Sequence, residues 1–248
     1  MNYSGMEEMM KVQAVTDVGR ERSVNQDYVY YSLTETGSLP NLFLVADGMG
    51  GHKAGDMASR YTVETFVSLV QDSTLKDPVS IINNAVTQVN RRLLQKAAES
   101  EDYEGMGTTL VAATVYDNIL RVANVGDSRL YILGNEITQI TRDHSLVEEM
   151  VSMSEINREQ ARNHEKKNII TRAIGGYDTV EAEMFSVDLK PNDCILMCTD
   201  GLSNMVEDAD ILKIVKSAPD IETAAKNLVA AANANGGKDN ITVMIIEP

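Results

Sequence analysis

The sequence predicts an α+β fold in which antiparallel β-sheets are flanked by helices. Short apolar runs rich in β-branched residues recur along the chain, and this composition is typical of strands. Consecutive runs are separated by tight turns at 116–118 and 134–135, which favours antiparallel pairing of neighbouring strands. The long helical patterns fall in pairs and do not alternate with the strands, so a parallel βαβ array is disfavoured.

The predicted strands are apolar segments bounded by turn residues. They cover 11–15, 27–33, 41–46, 108–116, 118–125, 128–133, 136–140, 180–189, 193–199 and 240–247. Cys194 and Cys198 fall on one face of the same strand by period-2 alternation, so we expect both thiols to be buried apolar groups. Two cysteines cannot form a disulfide framework, and secretion is therefore not indicated.

The clearest helix is predicted over 78–99. Asp77 supplies a cap, Pro78 suits the first helical position, and apolar residues then recur at intervals of three and four. That spacing is expected to bury one face of the helix. A second helix is predicted over 221–232, where the apolar residues lie on one side, and a third over 57–70, after the glycine-rich segment GGHKAG.

The whole chain, 1–248, is expected to form one domain. A length of 248 residues with 43% hydrophobic and 24% charged residues suits a single folded core. The segment 145–168 is polar and weakly patterned, and it interrupts the strand region, so it is predicted to be an inserted flap.

The charge balance limits the possible partners. A net charge of -15 disfavours nucleic acid as a partner and suits a soluble protein or one that collects divalent cations. The first residues lack the apolar core of a signal peptide, and no apolar run is long enough to span a membrane. We therefore expect a cytoplasmic protein that does not associate with membranes.

Five aspartates stand where an apolar strand begins or ends: Asp27, Asp47, Asp127, Asp200 and Asp239. Aspartate is depleted in strands, and carboxylates that converge at one sheet edge repel each other unless cations neutralise them. Oxygen donors without Cys or His partners indicate Mg²⁺ or Mn²⁺, not zinc. A single Asp-Gly pair is more often a turn, but the repetition makes that interpretation the weaker one here.

Other phosphate-binding motifs fit less well. The glycine-rich segment 48–53 follows a strand and precedes a helix, but Lys53 occupies the third glycine position of a dinucleotide loop. Lys238 is followed by Asp239 and not by Ser or Thr, so Gly237-Lys238 is not a P-loop. Neither cysteine has an arginine six residues later, which disfavours a thiol phosphatase.

Eight ordered segments resemble the successive motifs of one enzyme family, the bacterial type 2C metal-dependent protein serine/threonine phosphatases (PPM family). They are TDVGRERSVNQD, LFLVADGMGGHKAG, GMGTTLVAA, RVANVGDSRLYIL, RDHSLV, TRAIGG, DCILMCTDGLSN and GGKDNITVMII. The resemblance implies a four-layer α-β-β-α sandwich of two antiparallel sheets flanked by helices. It also implies hydrolysis of protein phosphoserine and phosphothreonine by a metal-activated water, without a covalent intermediate.

The resemblance also implies roles for individual residues at the metal site. Asp47 would bridge two Mn²⁺ or Mg²⁺ ions, with the carbonyl of Gly48 on one ion and Asp200 and Asp239 on the other. Asp27 would hold a metal-bound water or coordinate directly, and Asp127 resembles the ligand of a third, weaker ion near the flap. Gln26 replaces the glutamate that many members carry, which would weaken one metal position.

On the substrate side, Arg22 matches the arginine that binds the substrate phosphate. His52 aligns with the proposed general acid, although a loop histidine with a purely structural role is an equally good interpretation. The expected partners are phosphoserine and phosphothreonine proteins, the substrates of a cognate kinase, and the expected state is a monomer. An inactive phosphatase-like binding module and a small-molecule phosphohydrolase stay open as alternatives.

Overall fold

The strands form two antiparallel sheets in the computed structural model, which describes residues 10–51 and 54–248. In chain order they are β1 (Lys11–Asp17), β2 (Asp27–Ser32), β3 (Leu42–Met49), β4 (Gly107–Thr108), β5 (Leu110–Tyr116), β6 (Ile119–Val125), β7 (Arg129–Leu133), β8 (Ile137–Gln139), β9 (Glu183–Asp188), β10 (Cys194–Cys198) and β11 (Ile241–Glu247). One sheet has the order β1-β11-β10-β7-β8, and the other has the order β2-β3-β5-β6-β9 with β4 paired to β3.

Seven α-helices are described: α1 (Ala54–Gln71), α2 (Pro78–Ala97), α3 (Leu146–Ser152), α4 (Arg158–Arg162), α5 (Asp200–Ser203), α6 (Asp208–Ser217) and α7 (Ile221–Ala234). The helix predicted from Pro78 begins there because the Asp77 carboxylate accepts hydrogen bonds from the Ser80 amide at 2.9 Å and hydroxyl at 2.7 Å. Among the described helices, none is long and apolar enough to cross a membrane.

Strand alternation produces three apolar layers. In β3, Leu42 and Leu44 pack against α1 and α2, whereas Phe43 points into the core between the sheets. In β11, Val243 faces α6 and α7, and Met244 enters the core between the sheets. Helices therefore cover the outer face of each sheet, and the predicted four-layer α+β sandwich is confirmed.

The predicted strand 108–116 is interrupted. Thr109 leaves the ladder because its amide donates to the Asp47 carbonyl at 2.9 Å, and its hydroxyl accepts from the Asp47 amide at 2.9 Å. The tight turn predicted after β5 is present, with left-handed backbone at Asp117 (φ 51°) and Asn118 (φ 58°). The break at Thr109 fixes the backbone of one of the candidate metal ligands.

The segment predicted as a flap contains two short helices, α3 and α4. It leaves and re-enters the sandwich at one point, where Ser145 forms a bridge with Ile170 and the Leu146 amide donates to the Ile169 carbonyl at 2.9 Å. An ion pair between Arg162 and Glu207 connects α4 to the residue that precedes α6. The segment thus borders the end of the sandwich that carries the aspartates.

Candidate metal and phosphate site

The five aspartates lie at one end of the sandwich. Antiparallel register pairs Asp27 at the start of β2 with Asp47 near the end of β3. Asp47, Asp127, Asp200 and Asp239 line one pocket of about 230 Å³, together with Arg22 and Gly48. The strand ends therefore bring together residues that are far apart in sequence.

Asp27 lies at the buried side of this cluster. Its Oδ2 accepts a hydrogen bond from the Thr199 hydroxyl at 2.8 Å, whereas its buried Oδ1 has no partner among the described residues. Burial raises the pKa of Asp27 to about 7; the neighbouring hydroxyls of Thr242 and Thr199 oppose this rise, and the charge of Asp200 adds to it. One oxygen of this carboxylate is thus held in place, while the other has no donor, in the portion of the chain that the structure describes, to balance its charge.

Asp47 and Asp200 both lie close to other carboxylates. Burial, and then the charges of Asp27 and Asp200, raise the pKa of Asp47 well above its ordinary value. Burial and Asp239 raise the pKa of Asp200 to about 6. Asp200 Oδ2 accepts a hydrogen bond from the side-chain Nδ2 of Asn204 at 2.9 Å. Its buried Oδ1 lacks a partner in the described part of the chain.

This donor set fits a hard divalent cation. A cation would relieve the repulsion that raises these pKa values, and the unpartnered oxygens of Asp27 and Asp200 offer coordination sites. Within residues 10–51 and 54–248, no three carboxylate, thiol or imidazole side chains already converge as a ligand set. A backbone carbonyl and waters would therefore complete the coordination shell, as Mg²⁺ in particular prefers.

Gly48 is a glycine because the chain passes another backbone segment at very short distance. A Cβ at this position would lie 2.0 Å from the Gly55 carbonyl oxygen at the start of α1. The Gly48 amide donates to the Gln26 carbonyl at 3.0 Å. The backbone between Asp47 and α1 is thereby fixed against the strand that begins at Asp27.

Asp127 lies in the turn after β6 and lines a larger groove of about 710 Å³, together with Asp200 and with Lys167 from the segment predicted as a flap. Burial and the charges of Asp200 and Asp143 raise its pKa well above the ordinary value, although Arg129 acts in the opposite direction. Asp127 therefore belongs both to the pocket and to the groove beside the segment 145–168.

His144 connects the turn before Asp127 to the start of the segment predicted as a flap. Its Nδ1 accepts from the Gly126 amide at 3.1 Å, and its Nε2 lies 3.1 Å from Glu183 Oε2. Burial, reinforced by Arg172, lowers the pKa of His144, which agrees with a neutral ring that donates from Nε2. The His144 carbonyl also accepts from the Thr171 amide at 2.8 Å.

On the substrate side, Arg22 lies at the rim of the pocket, where its Nη2 is 2.8 Å from Asp239 Oδ2. Both side chains are partly exposed, so a phosphate at this rim can reach the guanidinium. His52 lies outside the described residues, and its predicted role as proton donor is not addressed by this geometry.

Comparison with known proteins gives the same assignment as the motifs. A family model described as "Protein phosphatase 2C" matches residues 18–238. The chain belongs to the protein phosphatase 2C family. Within this family it is 39% identical over 243 residues to serine/threonine phosphatase stp of Listeria innocua, with 96% of each chain covered.

Solved structures of the PP2C family superpose on the whole sandwich. The serine/threonine phosphatase Stp1 from Staphylococcus aureus matches with a TM-score of 0.90 and 34% identity, covering 97% of this chain and 95% of that one. The catalytic domain of the phosphatase PstP, in complex with two manganese ions, matches with a TM-score of 0.84 and 34% identity, covering 96% and 97%. The PP2C family is metal-dependent, and the predicted resemblance is confirmed.

Two residues that shape this PP2C site were not identified from the sequence. Thr199, directly before Asp200, holds Asp27. Asn240, directly after Asp239, holds the segment that carries Arg22. Each is a polar residue beside a predicted ligand at the end of a buried strand, and this position is the signal that would have identified them.

Proposed function

We propose that this chain hydrolyses phosphoserine and phosphothreonine in proteins, with Mn²⁺ or Mg²⁺ as cofactor. The observation that carries the proposal is the convergence of four carboxylates in one pocket beside Arg22. One of them, Asp200, and the adjacent buried Asp27 each have an unpartnered oxygen. The names of the PP2C relatives support the same activity. In this proposal the whole chain, 1–248, forms a single catalytic domain.

The carboxylates would divide the metal-binding roles. Asp47 would contact two ions, Gly48 would contribute its carbonyl to one of them, and Asp200 and Asp239 would complete the other position. Asp27 would hold a metal-bound water or coordinate directly, and Asp127 would hold a third ion more weakly, beside the groove. When bound, the ions supply an activated water and neutralise charge on the phosphoryl group.

The chain's own residues position the substrate around that chemistry. Arg22 binds the phosphate through its planar guanidinium, which suits two phosphate oxygens at once. Thr199 keeps Asp27 oriented toward the cluster through its 2.8 Å hydrogen bond. His52 is our candidate for the proton donor to the serine or threonine alkoxide, a contribution of roughly 10²- to 10⁴-fold in rate.

The groove beside the pocket accommodates the polypeptide that carries the phosphate. Its volume of about 710 Å³ and its continuity with the pocket through Asp127 and Asp200 suit a peptide segment better than an isolated small metabolite. Lys167 from the segment predicted as a flap provides a cationic contact there. The cognate kinase, the monomeric state and the cytoplasmic location stay predictions.

The activity is tested by phosphate release from a phosphothreonine peptide and from para-nitrophenyl phosphate, each with Mn²⁺ and with EDTA. We expect turnover of both substrates in Mn²⁺ and none in EDTA. Activity that persists in EDTA would contradict the metal mechanism. Turnover of para-nitrophenyl phosphate without turnover of any phosphopeptide would favour a small-molecule phosphohydrolase, and complete inactivity would favour a binding module.

A further inference from the structure

Asn240 uses every hydrogen-bonding group of its side chain. The residue is buried, with 4% of its surface exposed, between Asp239 and β11. Its Oδ1 accepts from the Gln26 amide at 2.8 Å. Its Nδ2 donates to two carbonyls, those of Val18 and Val24, both at 2.9 Å. One side chain therefore contacts three backbone groups between residues 18 and 26, all of them more than 200 positions earlier in the chain.

Two of these contacts hold both ends of the segment that carries Arg22. We call residues 18–24 the arginine loop. Its middle is held by the Gly237 carbonyl, which accepts from the Arg20 amide at 2.7 Å and the Glu21 amide at 3.2 Å. The arginine loop thus packs against the backbone immediately before Asp239.

Gly19 shows how close this approach is. Its φ of +80° is in the left-handed region, and a Cβ there would lie 2.2 Å from the Asp239 carbonyl oxygen. Most of the loop is nevertheless exposed to solvent, including half of the Arg22 side chain. Because little apolar surface is buried, hydrogen bonds must determine the loop conformation.

We propose that Asn240 is a positioning residue for phosphate binding, which acts by holding the arginine loop and thereby Arg22 at the pocket rim. The inference rests on the proposed phosphatase activity, since Arg22 is the phosphate-binding group in that proposal. Removing the Asn240 amide frees the Val18 and Val24 carbonyls together, so the loop detaches at both ends. Asp239 keeps its own contact, because the bond from the residue 240 backbone amide to Asp239 Oδ1, at 2.9 Å, does not depend on the side chain.

A double-mutant cycle separates positioning of Arg22 from a general structural role. The four proteins are the wild type, Arg22→Ala, Asn240→Ala and the double variant, assayed with a phosphothreonine peptide at saturating Mn²⁺. We expect Asn240→Ala to raise KM about tenfold, as loss of a hydrogen bond to a charged phosphate does, with a smaller change in kcat. In the Arg22→Ala background the same change should alter KM by less than about twofold. If the increases in KM caused by the two substitutions multiply in the double variant, the proposal is overturned.

Two measurements on metal-free protein complete the test without any activity assay. Hydrogen exchange followed by mass spectrometry should show faster exchange of the 18–24 amides in Asn240→Ala, with unchanged protection of β10. Calorimetry should give a Kd for Mn²⁺ within about threefold of the wild type, a change below 1 kcal/mol. Unchanged exchange of the arginine loop would overturn the proposal.

Asn235→Ala is the matched control, since this exposed asparagine at the end of α7 donates only to the Met205 carbonyl. It should match the wild type in KM and in loop exchange. If Asn240→Ala does not fold, Asn240→Asp replaces it in the cycle, because aspartate keeps the acceptor for Gln26 and loses both donors. A wild-type protein without phosphopeptide turnover would refute the proposed function, whereas an active wild type with multiplicative effects would refute the positioning role alone.

Discussion

The guanidinium of Arg22 donates to the carboxylate of Asp239 across 2.8 Å. The two residues are 217 positions apart in the chain, and both are partly exposed, with 50% and 32% of their side chains accessible. An exposed ion pair of this kind contributes little to stability. It places the proposed phosphate-binding group directly beside a proposed metal ligand.

Arg22→Ala is therefore expected to raise KM for a phosphothreonine peptide by roughly 10- to 100-fold, since a hydrogen bond to a charged group contributes about 1.5–3 kcal/mol. The change in kcat should be smaller. Arg22→Lys should give an intermediate KM, because an ammonium cannot contact two phosphate oxygens as a guanidinium does. Steady-state kinetics at saturating Mn²⁺ measure both constants. Arg91→Ala, an exposed arginine on α2, is the control, and an unchanged KM in Arg22→Ala would show that phosphate binds elsewhere.

Asp239→Asn should lower kcat by at least about 100-fold, because removing one ligand charge weakens a centre that supplies several kcal/mol of transition-state stabilisation. The fold should persist, and circular dichroism should be unchanged. Mn²⁺ raises the Tm of a protein that binds it only in the folded state, and this rise should shrink in the variant.

The control for that substitution is Asp178→Asn, which removes the same charge from an exposed turn. It should retain the kcat of the wild type and the full effect of Mn²⁺ on Tm. Normal turnover in Asp239→Asn would contradict the assignment of this carboxylate to the metal site.

The carboxylate cluster makes the stability of the metal-free chain depend on pH. The pKa of Asp27 rises from 3.8 to about 7 on folding, and that of Asp200 rises from 3.8 to about 6. Between the unfolded and folded pKa values, the carboxyls of the folded chain keep protons that the unfolded chain has released. The free energy of unfolding therefore falls as pH rises through the window from the unfolded pKa to the folded pKa of each group. Ionised carboxylates bind cations better, and Mn²⁺ should therefore stabilise the protein more at the upper end of the window.

Thermal unfolding in EDTA and in Mn²⁺, from about pH 5 to about pH 8, tests this linkage. His144 acts in the opposite direction because burial lowers its pKa, so the diagnostic comparison is between the wild type and Asp27→Asn. The variant cannot ionise at this position, and its Tm in EDTA should fall less steeply with pH. Identical slopes in the two proteins would show that Asp27 does not titrate in this range.

Thr199→Val removes the hydroxyl that donates to Asp27 and accepts from the Thr242 amide at 3.0 Å. Both partners are buried, so we expect the free energy of unfolding to fall by about 1–3 kcal/mol. Urea denaturation measures this loss. Thr87→Val on the exposed face of α2 is the control and should change stability by less than about 0.5 kcal/mol. A wild-type midpoint for Thr199→Val would mean that Asp27 finds another partner.

Local patterns were sufficient to predict most elements of the fold. The helix predicted over 78–99 is observed as Pro78–Ala97, because its cap and apolar spacing lie within one short segment. The strand predicted over 108–116 was wrong at one position, Thr109, because the interaction that breaks it comes from Asp47, 62 residues earlier. Propensity carries no information about such a contact.

The same distinction applies to the site. Strand-end aspartates were visible as a repeated pattern, and the fold brings four of them to one pocket. The hydrogen bond from Thr199 to Asp27 joins residues 172 positions apart, and the contact from Asn240 to Val24 spans 216. These supporting contacts depend on the sheet order, which a single sequence does not specify. The roles of the individual ligands stay predictions that the variants above test.

Gly48 provides a direct test of the backbone geometry around Asp47. Gly48→Ala would place a Cβ 2.0 Å from the Gly55 carbonyl oxygen. This oxygen belongs to the backbone, which cannot move aside as the end of a flexible side chain can. We expect a loss of about 1–3 kcal/mol in the free energy of unfolding, or more, as for other overpacked positions. Gly51→Ala lies in the same connection with no atom within 4 Å of the new Cβ, so its urea midpoint should match the wild type. Equal stability of the two variants would show that β3 and α1 separate more easily than this contact implies.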